Sequence, residues 1–203
     1  MTTIYGSWIR RSMIIEPGEF TGIWHRESLT IEQGDPFEDS DAYWLQAGDY
    51  FADMRWSLDE TRTDTSSESA FAGRTSWSPP KMRFVHVIDF TKQFLEDEGR
   101  LMMVDGKLWE HGQVNIEGKT IHFKEVWVPL HINNQNTVVA TVVDTPGEIG
   151  YFIRVGEFAI GMNESKGVFS AACWRQSTAT GEWRSLHCIG DPEHLESLTN
   201  GYL

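Results

Sequence analysis

No run of about 18 apolar residues occurs in this chain, so no segment reads as a membrane-spanning helix. Basic residues are scarce, 17 Lys and Arg against 30 Asp and Glu, for a net charge of −13. Without a basic run or stripe, neither duplex DNA nor an anionic membrane is expected as the main partner, because an acidic surface gains nothing from counterion release. Cysteine is limited to Cys173 and Cys188, and no zinc-ligand spacing is present. If Thr180-Gly181 makes a two-residue hairpin turn, the two cysteines fall opposite each other and a disulfide is conceivable. Two reduced, buried thiols are the favoured reading for a cytoplasmic protein. There is no Gly-rich phosphate loop before a helix, no Gly-X-Ser-X-Gly elbow and no His-X-His or His-X-X-X-His pair. A lone barrel histidine such as His131 or His187 is a weak candidate for haem, and no metal or cofactor is expected. The stretch from Met1 to Arg11 lacks the apolar core and cleavage site of a secretory signal, which gives a cytoplasmic expectation.

The 203 residues are 40% hydrophobic and 12% aromatic, with nine Trp, enough to build the sizeable core of one domain spanning 1–203. Thirteen segments read as strands: 20–31, 41–47, 50–56, 70–77, 82–90, 100–104, 107–115, 120–128, 137–144, 148–155, 157–162, 167–175 and 182–189. Turn signals separate them, of which Asp105-Gly106 is the strongest hairpin. Short strands in this number predict an antiparallel barrel or sandwich rather than alternating βαβ units. One short helix is expected at the C-terminus, with Asp191 as N-cap, Pro192 at the first helical position and Gly201 as stop, and it would close one end of a barrel. The Thr/Ser/Asp-rich segment 59–69 reads as a loop at the barrel mouth or as plain disorder.

Charged residues inside strands supply the candidate site. In Ile121-His122-Phe123-Lys124-Glu125-Val126-Trp127, period two puts Glu125 on the better core face with Ile121, Phe123 and Trp127. A carboxylate there is costly unless partnered. A hairpin through Glu117-Gly118 sets Glu110 opposite Glu125, and two facing carboxyls would repel and raise one pKa, a general acid–base device or a cation site. Asp53 and Arg55 share a face with Phe51, while Ala52, Met54 and Trp56 make the other. If the apolar face points inward, the pair sits on the solvent side and contributes ~0.5 kcal/mol; this is the favoured alternative. If it points inward itself, it could position a ligand. Trp44 and Gln46 share a face, an arrangement common to ligand edges and to cores. His86 and Asp89 are separated by an odd number, so they fall on opposite faces and do not form a ready acid–base pair.

Gly22-Ile23-Trp24 on the first long strand and Trp174-Arg175 on a late one are similar to the calycin pattern, in which a late-strand Arg stacks on the first-strand indole. A wider resemblance runs through Trp24-His25-Arg26, Tyr43-Trp44-Leu45-Gln46, Phe51-Ala52-Asp53-Met54-Arg55 and Ala70-Phe71-Ala72-Gly73. It continues through Val85-His86-Val87-Ile88-Asp89-Phe90, Glu98-Gly99, Trp109-Glu110-His111-Gly112, Phe123-Lys124-Glu125-Val126-Trp127 and Arg154-Val155-Gly156-Glu157-Phe158. In this order the motifs resemble a family of uncharacterised small proteins related to a fungal casein-kinase-interacting barrel protein. The family's Asp-Leu-Arg-Ile-Pro run is altered here at Met54 and Trp56-Ser57. The resemblance implies an all-β, calycin- or lipocalin-like antiparallel barrel and carries no activity with it.

The expected function is binding of a small, partly apolar molecule inside the barrel, with Trp24, Trp44, Trp127, Arg26, Gln46, Asp53, Arg55 and Arg175 as contacts. The rival is a small-metabolite isomerase, cyclase or lyase using Glu110, Glu125, His86 and Asp89. A third reading is an interaction protein with a packed interior. The partner is then a small-molecule ligand or substrate rather than nucleic acid or membrane, and a homodimer stays open.

Overall fold

The computed structural model describes residues 9–14, 20–59, 61, 68–92, 95–116, 118–130 and 138–203. The first strand, β1 (Ile9–Ile14), precedes eight that close into an antiparallel barrel: β2 (Gly22–Ile31), β3 (Ser40–Ala47), β4 (Tyr50–Ser57), β5 (Ser69–Ser78), β6 (Lys81–Asp89), β7 (Glu96–Val104), β8 (Lys107–Ile116) and β9 (Lys119–Pro129). Closure comes from β9 pairing back onto β2. The Asp105-Gly106 turn between β7 and β8 has both central residues at positive φ, 52° and 78°, the twist that a tight hairpin needs.

The remaining strands do not extend the barrel. They are β10 (Val138–Thr145), β11 (Glu148–Val155), β12 (Phe158–Ser165), β13 (Val168–Gln176) and β14 (Trp183–Ile189), and they form a second antiparallel sheet with β1 on the edge beside β10. Each of the expected strand segments overlaps one of these elements; β1 is the strand the sequence pattern did not reveal. Among the described residues, no helix is long and apolar enough to cross a membrane.

The second sheet lies against the outside of the barrel. Leu45, Ala52, Met54, Ala70, Ala72 and Ile88 of the barrel wall pack with Tyr151, Ile153, Phe158, Ile160, Met162 and Cys173 of the sheet in one continuous core. Its far face carries a smaller cluster of Phe152, Ala159 and Ala172 under Leu195 and Leu198. Those two leucines belong to the short helical segment at 192–199, begun by Asp191, whose side chain accepts from Glu193 N as the capping pattern predicts. The helix therefore covers the second sheet and does not close the barrel, because the apolar surface that needs cover is on the sheet.

The same layering settles the cysteines. β13 and β14 shift register at Cys173/Trp174, so Cys173 pairs with His187 and Cys188 with Ala172. Cys173 faces the inter-sheet core and Cys188 the helix side, and both are free thiols. Neighbouring positions on paired strands point to opposite faces, which rules out the conceivable disulfide.

Candidate functional site

Inside the barrel, the half nearer the N-terminal end of β2 is packed solid. Phe20 meets Trp77 edge-on at 4.8 Å, Trp24 stacks on Trp44 at 6.0 Å and donates from Nε1 to the Phe20 carbonyl at 3.1 Å, and Met82, Leu101 and Leu108 fill the rest. The other half, toward the C-terminal ends of β2, β4, β6 and β8, holds a cavity of about 420 Å³. Rings of Trp44, Phe51, Phe71, Phe84, Phe123 and Trp127 make its apolar walls, and Asp53, Arg55, His86, Asp97, Glu110 and Glu125 its charged ones.

Glu125 is at the centre of the charged wall and is only 3% exposed. One oxygen, Oε1, accepts from Arg26 Nη1 at 2.6 Å and from Arg55 Nη1 at 2.8 Å. Arg55 also grips Asp53 with two bonds, Nε to Oδ1 at 2.8 Å and Nη2 to Oδ2 at 3.1 Å. Its guanidinium sits 5.5 Å from the Phe71 ring and 5.6 Å from the Trp127 ring. Arg26, behind the wall, is held in turn by Glu38, with Nε to Oε2 at 2.9 Å and Nη2 to Oε1 at 2.7 Å, and by Ser40 Oγ at 2.5 Å. Every buried charge in this chain of pairs has an opposite partner, which is the condition for keeping ions in a dry interior.

Asp53 and Arg55 thus point into the barrel, correcting the solvent-side reading. Their strand has a fully apolar opposite face, Ala52 and Met54, because that face is buried against the second sheet. The rule that the apolar face is the inside of a barrel fails where another layer covers the outside.

The register pairs Glu110 directly with Glu125. Glu110 Oε2 accepts from Trp127 Nε1 at 3.1 Å. Its carboxyl lies over Gly99, where a Cβ would come within 2.2 Å of Oε1. Burial first, then the Glu125 and Asp97 carboxylates, push Glu110 well above the usual carboxyl range. Held toward its neutral form beside an ion-paired carboxylate, this carboxyl can donate as well as accept.

On β6 the structure overturns the expected alternation. Gly73 pairs with His86 and Ala72 with Ile88, leaving Val87 as a bulge. The bulge returns Asp89 to the face of His86, and both line the cavity. His86 Nδ1 lies 3.2 Å from Asp89 Oδ2, and its Nε2 is 3.5 Å from Asp97 Oδ2. Gly73 permits the kink, since a Cβ there would meet the Val85 carbonyl oxygen at 2.0 Å. The ring stacks on Phe71 at 4.5 Å with planes 10° apart. Burial pulls the imidazole pKa down, but the bonds to Asp89 and Asp97 outweigh it and push His86 up to about 9. Burial likewise works against Asp89, whose bonds from His86 and Thr91 hold it below the usual carboxylate range.

Of the remaining expected contacts, Trp44 and Trp127 line the cavity, whereas Trp24, Arg26 and Gln46 stand outside its lining. Gln46 accepts from Trp44 Nε1 at 3.0 Å and donates to the Gly48 carbonyl and Thr75 Oγ1, both at 2.7 Å, so it fixes the Trp44 indole. Arg175 is on β13 in the second sheet, with its guanidinium 5.1 Å from the Phe158 ring. It cannot stack on Trp24, which belongs to the barrel interior and packs on Trp44. Asp97 was missed because the sequence pattern began β7 at Arg100; its period-two relation to Gly99 and Leu101 was the available signal. Glu38, in the β2–β3 connection, has no strand periodicity to mark it. Most of segment 59–69 and all of His131 lie outside the described residues, while Glu68 and Ser69 border the cavity.

Comparison with known proteins places this architecture. The family described as Protein HRI1 matches residues 22–199, from the first barrel strand through the helix. The chain belongs to that family. Among solved structures it is similar to the uncharacterised protein YLR301w of Saccharomyces cerevisiae, with 16% identity and a TM-score of 0.68, over 83% of this chain and 85% of that one. At that identity the likeness speaks for the fold alone. No curated protein matches the sequence.

Proposed function

We propose that this HRI1-family protein binds a small, partly apolar molecule in the barrel cavity. The observation that supports this is the division of the barrel interior: one half is filled by Phe20, Trp24, Met82 and Leu108, and the other keeps a cavity of about 420 Å³ within the range that suits small ligands. Trp44, Phe51, Phe84 and Trp127 offer apolar surface to the ligand, and Arg55, Glu125 and Glu110 give it direction. Arg26, Gln46 and Trp24 act from behind by holding Glu125 and Trp44 in place. We place this binding in the cytoplasm, with a calycin-type barrel as the container.

A second reading, a small-metabolite isomerase, cyclase or lyase, is favoured by one observation, the Glu110 carboxyl beside Glu125. A buried carboxyl whose pKa is raised well above its ordinary value, next to a fixed carboxylate, is a general acid–base arrangement.

Native mass spectrometry and an absorbance spectrum on freshly purified protein test the binding reading. The expected result is a reproducible extra mass that denaturation releases. A bare polypeptide mass, with Trp fluorescence unmoved by a broad metabolite panel, overturns it.

A further inference from the structure

The cavity is built with an excess of negative charge. Its lining contains six carboxyl groups, those of Asp53, Glu68, Asp89, Asp97, Glu110 and Glu125, of which Glu110 is held toward its neutral form by burial, against the Arg55 guanidinium and the His86 imidazole that Asp89 and Asp97 hold toward its charged form. Arg26 does not redress the balance, because Glu38 offsets it outside the lining. Arg55 is already engaged by Asp53 and Glu125, so it has little left to offer an anionic ligand. One buried polar atom at the cavity, Asp97 Oδ1, has no hydrogen-bond partner among the described residues, while the other oxygen of that carboxyl faces His86 Nε2 at 3.5 Å. Glu110 pairs in register with Leu101, yet its carboxyl reaches over Gly99, two residues along β7 toward Asp97. The carboxyl groups of Glu110, Asp97 and Glu125 thus border the same cavity as the Phe51, Phe84 and Phe123 rings.

We propose that the ligand is an organic cation, a protonated amine on a compact apolar body, with its ammonium group among Glu110, Asp97 and Glu125 and its body against the Phe51, Phe84 and Phe123 rings. The inference rests on the binding reading above and sharpens it. An ammonium group supplies the donor that Asp97 Oδ1 lacks. It also offsets the surplus charge and finds the negative faces of the rings nearby. An anion would find Arg55 already engaged by Asp53 and Glu125, and His86 already held between Asp89 and Asp97.

The test is titration calorimetry of the full chain with matched triples of ammonium, alcohol and carboxylate on phenylethyl, indolylethyl and hexyl bodies. The amine of at least one triple is expected to bind about tenfold or more tighter than its alcohol, the size of one charge-assisted hydrogen bond, with the carboxylate weakest. An alcohol or carboxylate that binds as well as its amine overturns the cation and leaves the binding reading standing. Nine compounds without measurable heat overturn both. Glu110→Gln, which keeps an acceptor for Trp127, should shrink the amine-to-alcohol ratio severalfold; an unchanged ratio removes Glu110 from the cation's partners.

Discussion

The two faces of β3, β4 and β5 reverse the usual order of a barrel. Outward, Leu45, Ala47, Ala52, Met54, Ala70 and Ala72 carry no charge and are all at most 1% exposed. Inward, the same strands present Trp44, Gln46, Phe51, Asp53, Arg55 and Phe71. The outer wall is the continuous core because the second sheet covers it, and its burial is hydrophobic and close-packed. The interior is released from that task over half its length. There it can keep charges and space, provided each charge finds a partner. Stability and chemistry are thus assigned to opposite sides of one sheet.

The sharpest way to break this comparison is to remove the charge that the interior pairs depend on. Glu125→Gln leaves Arg26 and Arg55 facing each other across a neutral amide. Losing one partner of a buried ion network costs about 3–5 kcal/mol, read as a fall in the urea midpoint at unchanged slope. A cost under about 1 kcal/mol would mean that the interior pairs are solvated and that the cavity is only an outer surface folded inward.

Met54→Ala probes the outward face of the wall, on β4. Met54 is fully buried between the barrel and the sheet, so its truncation should cost about 2–4 kcal/mol through lost transfer energy and the void left behind. It should leave ligand titrations of the barrel unchanged. If the loss of stability comes with loss of binding, the two faces are not independent and the division of labour fails.

Strands, turns and the short helix were legible in the sequence because period-two patterning and turn chemistry are local. The facing of Glu110 and Glu125 was legible for the same reason, since the Glu117-Gly118 turn signal in the sequence implies the register that the two strands adopt. What stayed hidden was long-range. Nothing local says that residues after 138 build a separate sheet, so the apolar face of β4 pointed to the wrong side. β1 was invisible since Arg10 and Arg11 break the apolar pattern of a strand that pairs only at a sheet edge. The Val87 bulge was equally hidden, and it alone turns His86 and Asp89 from strangers into partners. Gly73, the residue that admits the bulge, was its only trace.

The smallest expected effect concerns pH, and two interior groups contribute with the same sign. His86 is pushed up to about 9 by Asp89 and Asp97 against the opposing pull of burial. Its contribution is fully present below the unfolded value of about 6.5 and is lost as pH rises through the folded one. Glu110 is pushed well above its ordinary value in the fold, by burial and by Glu125, while the unfolded carboxyl ionises near pH ~4.3, so stability again declines as pH rises. The thermal midpoint should therefore fall steadily from about pH 5 to pH 9. Scans at half-unit intervals separate the two, because they begin at different places: His86→Gln should flatten the slope above about pH 6.5, and Glu110→Gln the slope that starts nearer pH 5. The buried members of the inter-sheet core are instead aliphatic, aromatic or the Cys173 thiol that burial pushes up. A wild-type midpoint flat across the whole range would move His86 and Glu110 into water and erase the contrast between the two faces of the barrel wall.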